Sequence, residues 1–267
     1  MTWLASTLAS FRLGQLTFYK RIGFALIGIA LPISLCVFMT QGGTRKPEVQ
    51  GLPYDVYVFT GYVGFSLFFI TFNLVTAVVA RREALIYKRL RTTPLPASSI
   101  LWGESISATI SALITVAALL CYGIGFLRVG VPANPLLFFV AVVLGAIMFS
   151  LIGFGLSGLA PTSDVAVWVV TPIVLAFMSG SGIFWPLATL PFGLGSIAAF
   201  SPVSPLVAVI RTAYAGKDYT AVVPREVVLT LGQGFAVSVV PLIVMVAWIL
   251  IGVLMFRFLF RWDPRRR

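Results

Sequence analysis

The 267 residues include no histidine, two cysteines and few charges, with Asp, Glu, Lys and Arg together making up 10% of the chain. Without histidine there is no Ser-His-Asp triad, no HExxH zinc site and no histidine-ligated haem. Cys36 and Cys121 both fall in apolar runs, and one pair makes no framework of disulfides, so they read as small core hydrophobes. Soluble domains carry roughly 25% charged residues. The shortage of charge therefore excludes a single soluble domain, a disordered chain and a sizeable catalytic domain outside a membrane. No Gly-x-x-x-x-Gly-Lys-Ser/Thr phosphate loop occurs, so this chain lacks the usual cradle of backbone amides, lysine and Mg²⁺ for ATP hydrolysis.

The chain is 59% hydrophobic, with a mean hydropathy of +1.03. Apolar runs lie at about Ile22–Thr40, Val56–Ala80, Glu104–Phe126, Pro135–Ala160, Val165–Pro186 and Val227–Phe256. Six spans of about 20 residues use roughly 120 residues, and the expected fold class is an all-α polytopic membrane protein with six transmembrane helices. The run Leu187–Phe200 is short, contains Pro191, Gly193 and Gly195, and ends at Ser201-Pro202-Val203-Ser204-Pro205. It is expected to form a re-entrant hairpin over 187–206, between the fifth and sixth spans. The stretch Thr2–Tyr19 is interrupted by Ser6, Ser10, Arg12, Gly14 and Gln15, with Leu4, Leu8, Phe11 and Phe18 at helical spacing. It reads as an interfacial helix over 1–21 rather than a cleavable signal, with Arg12, Lys20 and Arg21 toward the headgroups.

The net charge of +11 suits a topological bias better than nucleic-acid binding. With six spans both termini share one face. That face holds thirteen basic residues: Arg12, Lys20, Arg21, Arg81, Arg82, Lys88, Arg89, Arg91, Arg257, Arg261, Arg265, Arg266 and Arg267. The opposite face holds six, namely Arg45, Lys46, Arg128, Arg211, Lys217 and Arg225. The excess places both termini in the cytoplasm. Glu104 and Asp164 are expected at cytoplasmic span ends within reach of water, and no span shows a midplane pair of ionisable groups. That weakens ion-coupled secondary transport. A membrane-embedded lipid-modifying enzyme usually needs an acidic metal-binding cluster, and only Glu104 and Asp164 are available for one.

The loop Arg81–Trp102 carries the densest charge. Arg81–Arg91 has no glycine or proline, so the second span is expected to continue into the cytosol as an unbroken helical lever. Pro94 and Pro96 then stop it, and Ser98 and Ser99 are expected to cap a turn leading into the third span. Five basic residues in this segment suit either anionic-lipid binding or the docking of a protein partner, and residue chemistry alone leaves both open.

The segment Arg82-Glu83, a spacer, then Lys88-Arg89-Leu90-Arg91-Thr92-Thr93-Pro94-Leu95 resembles the coupling segment of ABC-2 type transporter permeases. A second likeness lies in Ser179-Gly180-Ser181-Gly182-Ile183-Phe184-Trp185-Pro186, followed by Leu190-Pro191, Pro202, Pro205 and Arg211. It resembles the family's fifth span, extracellular re-entrant hairpin and entry to the last segment. The resemblance covers nearly all of 1–267 as a single transmembrane domain, with 81–102 as the coupling segment, and is greatest for the drug-resistance branch. It implies an exporter subunit in a bacterial inner or plasma membrane, moving a drug, antibiotic or lipid. It further implies two copies of a separate ATPase that carry ATP and Mg²⁺, a second permease chain (identical or paralogous), membrane lipids as surroundings, and no cofactor on this chain. The implied coupling residues are Glu83, Lys88, Arg89, Arg91, Thr92, Thr93, Pro94 and Leu95. The implied substrate path holds Tyr62, Phe69, Asn73, Met178, Ser179, Phe184 and Trp185. Many family members have a glycine shortly after the Glu, where this chain has Leu85. That departure is expected to make the lever more continuously helical.

Overall fold

Apolar runs without internal water partners satisfy their backbone groups as helices, and the computed structural model is almost wholly helical. It describes residues 3–20, 26–42, 48–93, 95–221 and 225–263. In chain order α1 is Trp3–Lys20; a π-helical turn Leu26–Ala30 leads into α2, Leu31–Gln41; α3 is Tyr54–Glu83 and α4 is Ile86–Leu90. Next come α5, Ala97–Tyr122, with a π-helical turn Gly123–Leu127, then α6, Pro135–Ser157, and α7, Ser163–Ser179. Two 3₁₀ turns precede α8, Leu194–Ala198, and α9, Val203–Ala215. A small antiparallel pair, β1 Lys217–Asp218 with β2 Arg225–Val228, pairs Lys217 with Val228 before α10, Leu231–Leu259.

Four helices among the described residues are long and apolar enough to cross a membrane: α3, α5 with its π turn, α6 and α10. The helical segment Pro191–Ala198 and α9 make a broken pair bent by 73°, with the bend inside the 187–206 segment. The first and fifth expected spans are shorter than anticipated, as Gly28–Gln41 and Ser163–Ser179. The fifth ends at Ser179 rather than Pro186 because Gly180 closes it and Gly182 turns at φ +76°. The sixth starts at Leu231 rather than Val227, because Thr230 and Gln233 form a reciprocal capping box there.

Helix α3 is the central post. It packs against α2, α5, α6, α7 and α9, and most of its side chains are buried. Small residues admit close crossings. A Cβ at Gly155 would meet Met255 of α10, and one at Gly158 would collide with the Leu259 carbonyl. Helix α1 lies along α5 with Gly103 against Ser10 and Gly14 against Ser107. Its buried face is small and polar (Ser6, Thr7, Ser10), while Trp3, Leu4, Leu8, Leu13 and Leu16 face outward. This inversion of the soluble pattern suits a helix whose outer face meets lipid. Arg12 is exposed on α1; Arg21 and the side chain of Lys20 lie outside the described residues.

Candidate coupling site

The end of α3 is where the basic loop meets the bundle. Successive residues on a helix point about 100° apart, so Arg81, Arg82 and Glu83 reach different neighbours. Arg81 forms an ion pair with Glu104 of α5 and donates through Nη2 to the Gly14 carbonyl of α1 at 3.4 Å. Arg82 donates to the carbonyl of Ala160, in the turn between α6 and α7. The Glu83 carboxylate accepts from the backbone N–H and the hydroxyl of Ser163, at 3.0 and 2.6 Å. It thereby places negative charge on the first turn of α7, where the helix dipole favours it. One helix end thus grips α1, α5, the α6–α7 turn and α7.

Glu104 is buried rather than water-exposed, which corrects the expectation for this residue: the Arg81 guanidinium supplies the partner that water was to supply. The Tyr87 hydroxyl donates to its other oxygen at 3.3 Å. Burial pushes the Tyr87 phenol up to about 12, with Arg81 and Arg82 opposing the rise.

The unbroken lever is also corrected. Helix α3 stops at Glu83, and Leu85 adopts φ +56°, ψ 20° before α4 begins. Leu85 takes the left-handed conformation that glycine usually supplies at a helix end. Leucine at this position therefore leaves a break in the helix and strains it. Beyond the break, Lys88, Arg89, Arg91, Thr92 and Thr93 are exposed and Leu95 is half-buried; Pro94 lies outside the described residues. Thr92 and Thr93 donate to the carbonyls of Arg89 and Leu90, at 2.7 and 2.5 Å, and close α4. Pro96 precedes α5, the Ser99 hydroxyl bonds its carbonyl, and Ser98 accepts from the Trp3 indole at 3.2 Å. The chain's end returns to the same place: Trp262 meets Tyr87 edge-on with ring centroids 5.8 Å apart, and Arg91 lies 3.9 Å from Asp263.

Of the residues expected along a path, Tyr62, Phe69, Phe184 and Trp185 fall into one aromatic row. Trp185, Phe184, Tyr62, Phe65, Phe69 and Phe72 are linked by successive ring contacts with centroids 5.1 to 6.1 Å apart. Tyr62, Phe69 and Asn73 are buried, Met178 and Phe184 half-buried, and Ser179 and Trp185 exposed. The Asn73 amide packs on Gly28, and its Nδ2 has no hydrogen-bond partner among the described residues.

A family model described as ABC-2 type transporter matches residues 6–214. The chain belongs to this family. Of the curated proteins, none matches it. It is a multi-pass membrane protein, the transmembrane permease of an ABC transporter, and permeases of this family generally work with an ATPase partner.

Sequence reasoning passed over four residues that build the joint of this permease: Arg81, Glu104, Tyr87 and Trp262. One signal was available. A lone acid at the start of one apolar span and two arginines at the end of the preceding span are complementary charges at the same depth, and ionisable groups there are expected to pair. The Trp262 contact had no comparable signal, because it joins residues 175 positions apart.

Proposed function

We propose that this chain is the membrane subunit of an ATP-driven exporter that moves a hydrophobic or amphipathic compound (drug, antibiotic or lipid) out of a bacterial cell by alternating access. A separate ATPase, present as two copies holding ATP and Mg²⁺, docks on Lys88, Arg89, Arg91, Thr92, Thr93, Pro94 and Leu95, and a second permease chain completes the pathway. Both termini are cytoplasmic in this reading, on the side of the basic loop. The observation that carries it is the three-way grip of Arg81, Arg82 and Glu83 beside an exposed basic turn. A push on α4 reaches α1, α5 and the α6–α7 turn through the buried contacts of Arg81 and Arg82, and α7 through the exposed Glu83–Ser163 pair, which is what rigid-body switching of spans requires. Glu83 serves this role from the exposed edge of the joint, through Ser163. The aromatic row from Trp185 to Phe72, with Asn73, Met178 and Ser179 near it, offers varied apolar faces to cargo.

The decisive test replaces Arg89 and Arg91 together by glutamate and reconstitutes the permease with its ATPase. The expected result is a folded permease whose transport is lost while ATP hydrolysis continues or no longer responds to cargo. Undiminished substrate-stimulated export by the double variant would overturn the docking assignment. Loss of anionic-liposome binding with export unchanged would assign the cluster to lipid instead.

A further inference from the structure

Most hydroxyls within the spans are satisfied locally. Thr60, Ser66, Thr76, Ser111, Thr115 and Ser157 bond carbonyls three or four residues back, and Thr71 bonds the Phe149 carbonyl of α6. Ser105, Thr109 and Ser150 are different: their hydroxyls make no hydrogen bond among the described residues. All three line one groove of about 580 Å³, formed by α5 and α6 together with Phe256 of α10 and otherwise apolar. Ser150 is only 7% exposed, yet its side chain faces the groove instead of bonding back along its own helix. A hydroxyl without a protein partner in an apolar setting favours a guest that offers it an acceptor.

The dimensions point to a particular guest. The lining runs from Leu101 to Leu113 on α5 and from Phe154 to Val143 on α6. Twelve residues at about 1.5 Å each make roughly 18 Å, close to one leaflet of a hydrocarbon core about 30 Å thick. The groove opens at the helix ends that carry Trp102, 54% exposed, a residue type that favours the headgroup layer. Ser105 and Ser150 stand one helical turn in from that mouth, counted from Leu101 and Phe154. Arg257 follows Phe256 directly, Arg261 lies just beyond the end of α10, both are exposed, and neither has a carboxylate partner among the described residues.

The geometry points to a binding site for one anionic phospholipid of the leaflet on the side of the basic loop. An acyl chain fills the groove, the ester carbonyls accept from Ser105 and Ser150, and the phosphate meets Arg257 and Arg261. Apolar length, unpartnered donors and positive charge lie in the order in which a phospholipid presents tail, ester and phosphate. This site is separate from the aromatic row and holds whether or not the chain exports anything.

The test uses the full chain in lipid nanodiscs containing phosphatidylglycerol with a photoreactive diazirine near the end of one acyl chain, and maps adducts by peptide mass spectrometry. Adducts are expected to be several-fold denser on residues 101–113 and 143–154 than on the equally lipid-facing residues 239–254 of α10. They should lose that enrichment with the corresponding phosphatidylcholine probe and in Ser105→Phe with Thr109→Phe. Should the filled variant fail to fold, the comparison of the two headgroups on the unaltered protein decides. Even labelling along all spans, or equal labelling by both lipids, would overturn the site. So would efficient disulfide formation between two copies of Ile147→Cys in a Cys121→Ser background, which assigns the groove to a second chain.

Discussion

Arg81 and Glu104 form a buried ion pair between the last turn of α3 and the first third of α5, and Tyr87 shares the same carboxylate. Two charges withdrawn from water are tolerable here because each neutralises the other, and removing one leaves the other unpaired. Glu104→Ala is expected to destabilise the protein by about 3–5 kcal/mol, read as a lowered unfolding midpoint in detergent. Replacing both residues by apolar ones of similar size (Arg81→Met with Glu104→Leu) should recover most of that loss. Equal damage by the single and the double replacement would refute an ion-pair role.

Leu85 is 41% exposed and holds a left-handed backbone. That conformation costs an L-residue roughly 1–2 kcal/mol, while glycine adds unfolded-state entropy of roughly 0.5–1 kcal/mol. Leu85→Gly should therefore be neutral or stabilising by up to about 1 kcal/mol, despite removing a side chain. Leu85→Val should be worse than the unaltered protein, because branching at Cβ narrows the permitted backbone further. Thermal unfolding of the three proteins, ranked Gly, Leu, Val, checks this.

Tyr87 has its phenol raised from 10.0 to about 12 by burial. A raised value means that the folded protein holds this proton more tightly than the unfolded chain does. The resulting stabilisation is complete below pH 10 and is lost as pH climbs toward 12. Relative to Tyr87→Phe, the unaltered protein should lose stability across that window and not below it. An identical pH profile for the two proteins would contradict the assignment.

Arg211 fastens the hairpin. It is buried in α9, donates to the Tyr57 and Gly182 carbonyls at 3.1 and 3.2 Å and to the Thr60 hydroxyl at 3.3 Å, and lies over the Tyr57 ring. A lysine carries the charge but lacks the planar fork that reaches three acceptors. Arg211→Lys is expected to lower stability nearly as much as Arg211→Met, by about 2 kcal/mol or more, and to speed proteolysis within residues 187–202. Full rescue by lysine would show that charge alone holds the hairpin.

The sequence by itself determined the membrane class, the approximate position of every long helix and the place of the bend before α9. Apolar length and Gly-Pro punctuation act locally, and no distant residue is needed to read them. It also marked Lys88–Leu95 as a basic, proline-stopped turn, and those of its residues that the structure describes are mostly exposed. Only the tertiary structure decided that the helix breaks at Leu85, since residue preference there favours continuation and the path of the following chain overrides it. Only the structure brought Glu104, Tyr87 and Trp262 to the arginines of α3. Each of these contacts joins different helices, and its strength depends on burial, which is set when the helices pack and leaves no trace in the spacing of residues along the chain.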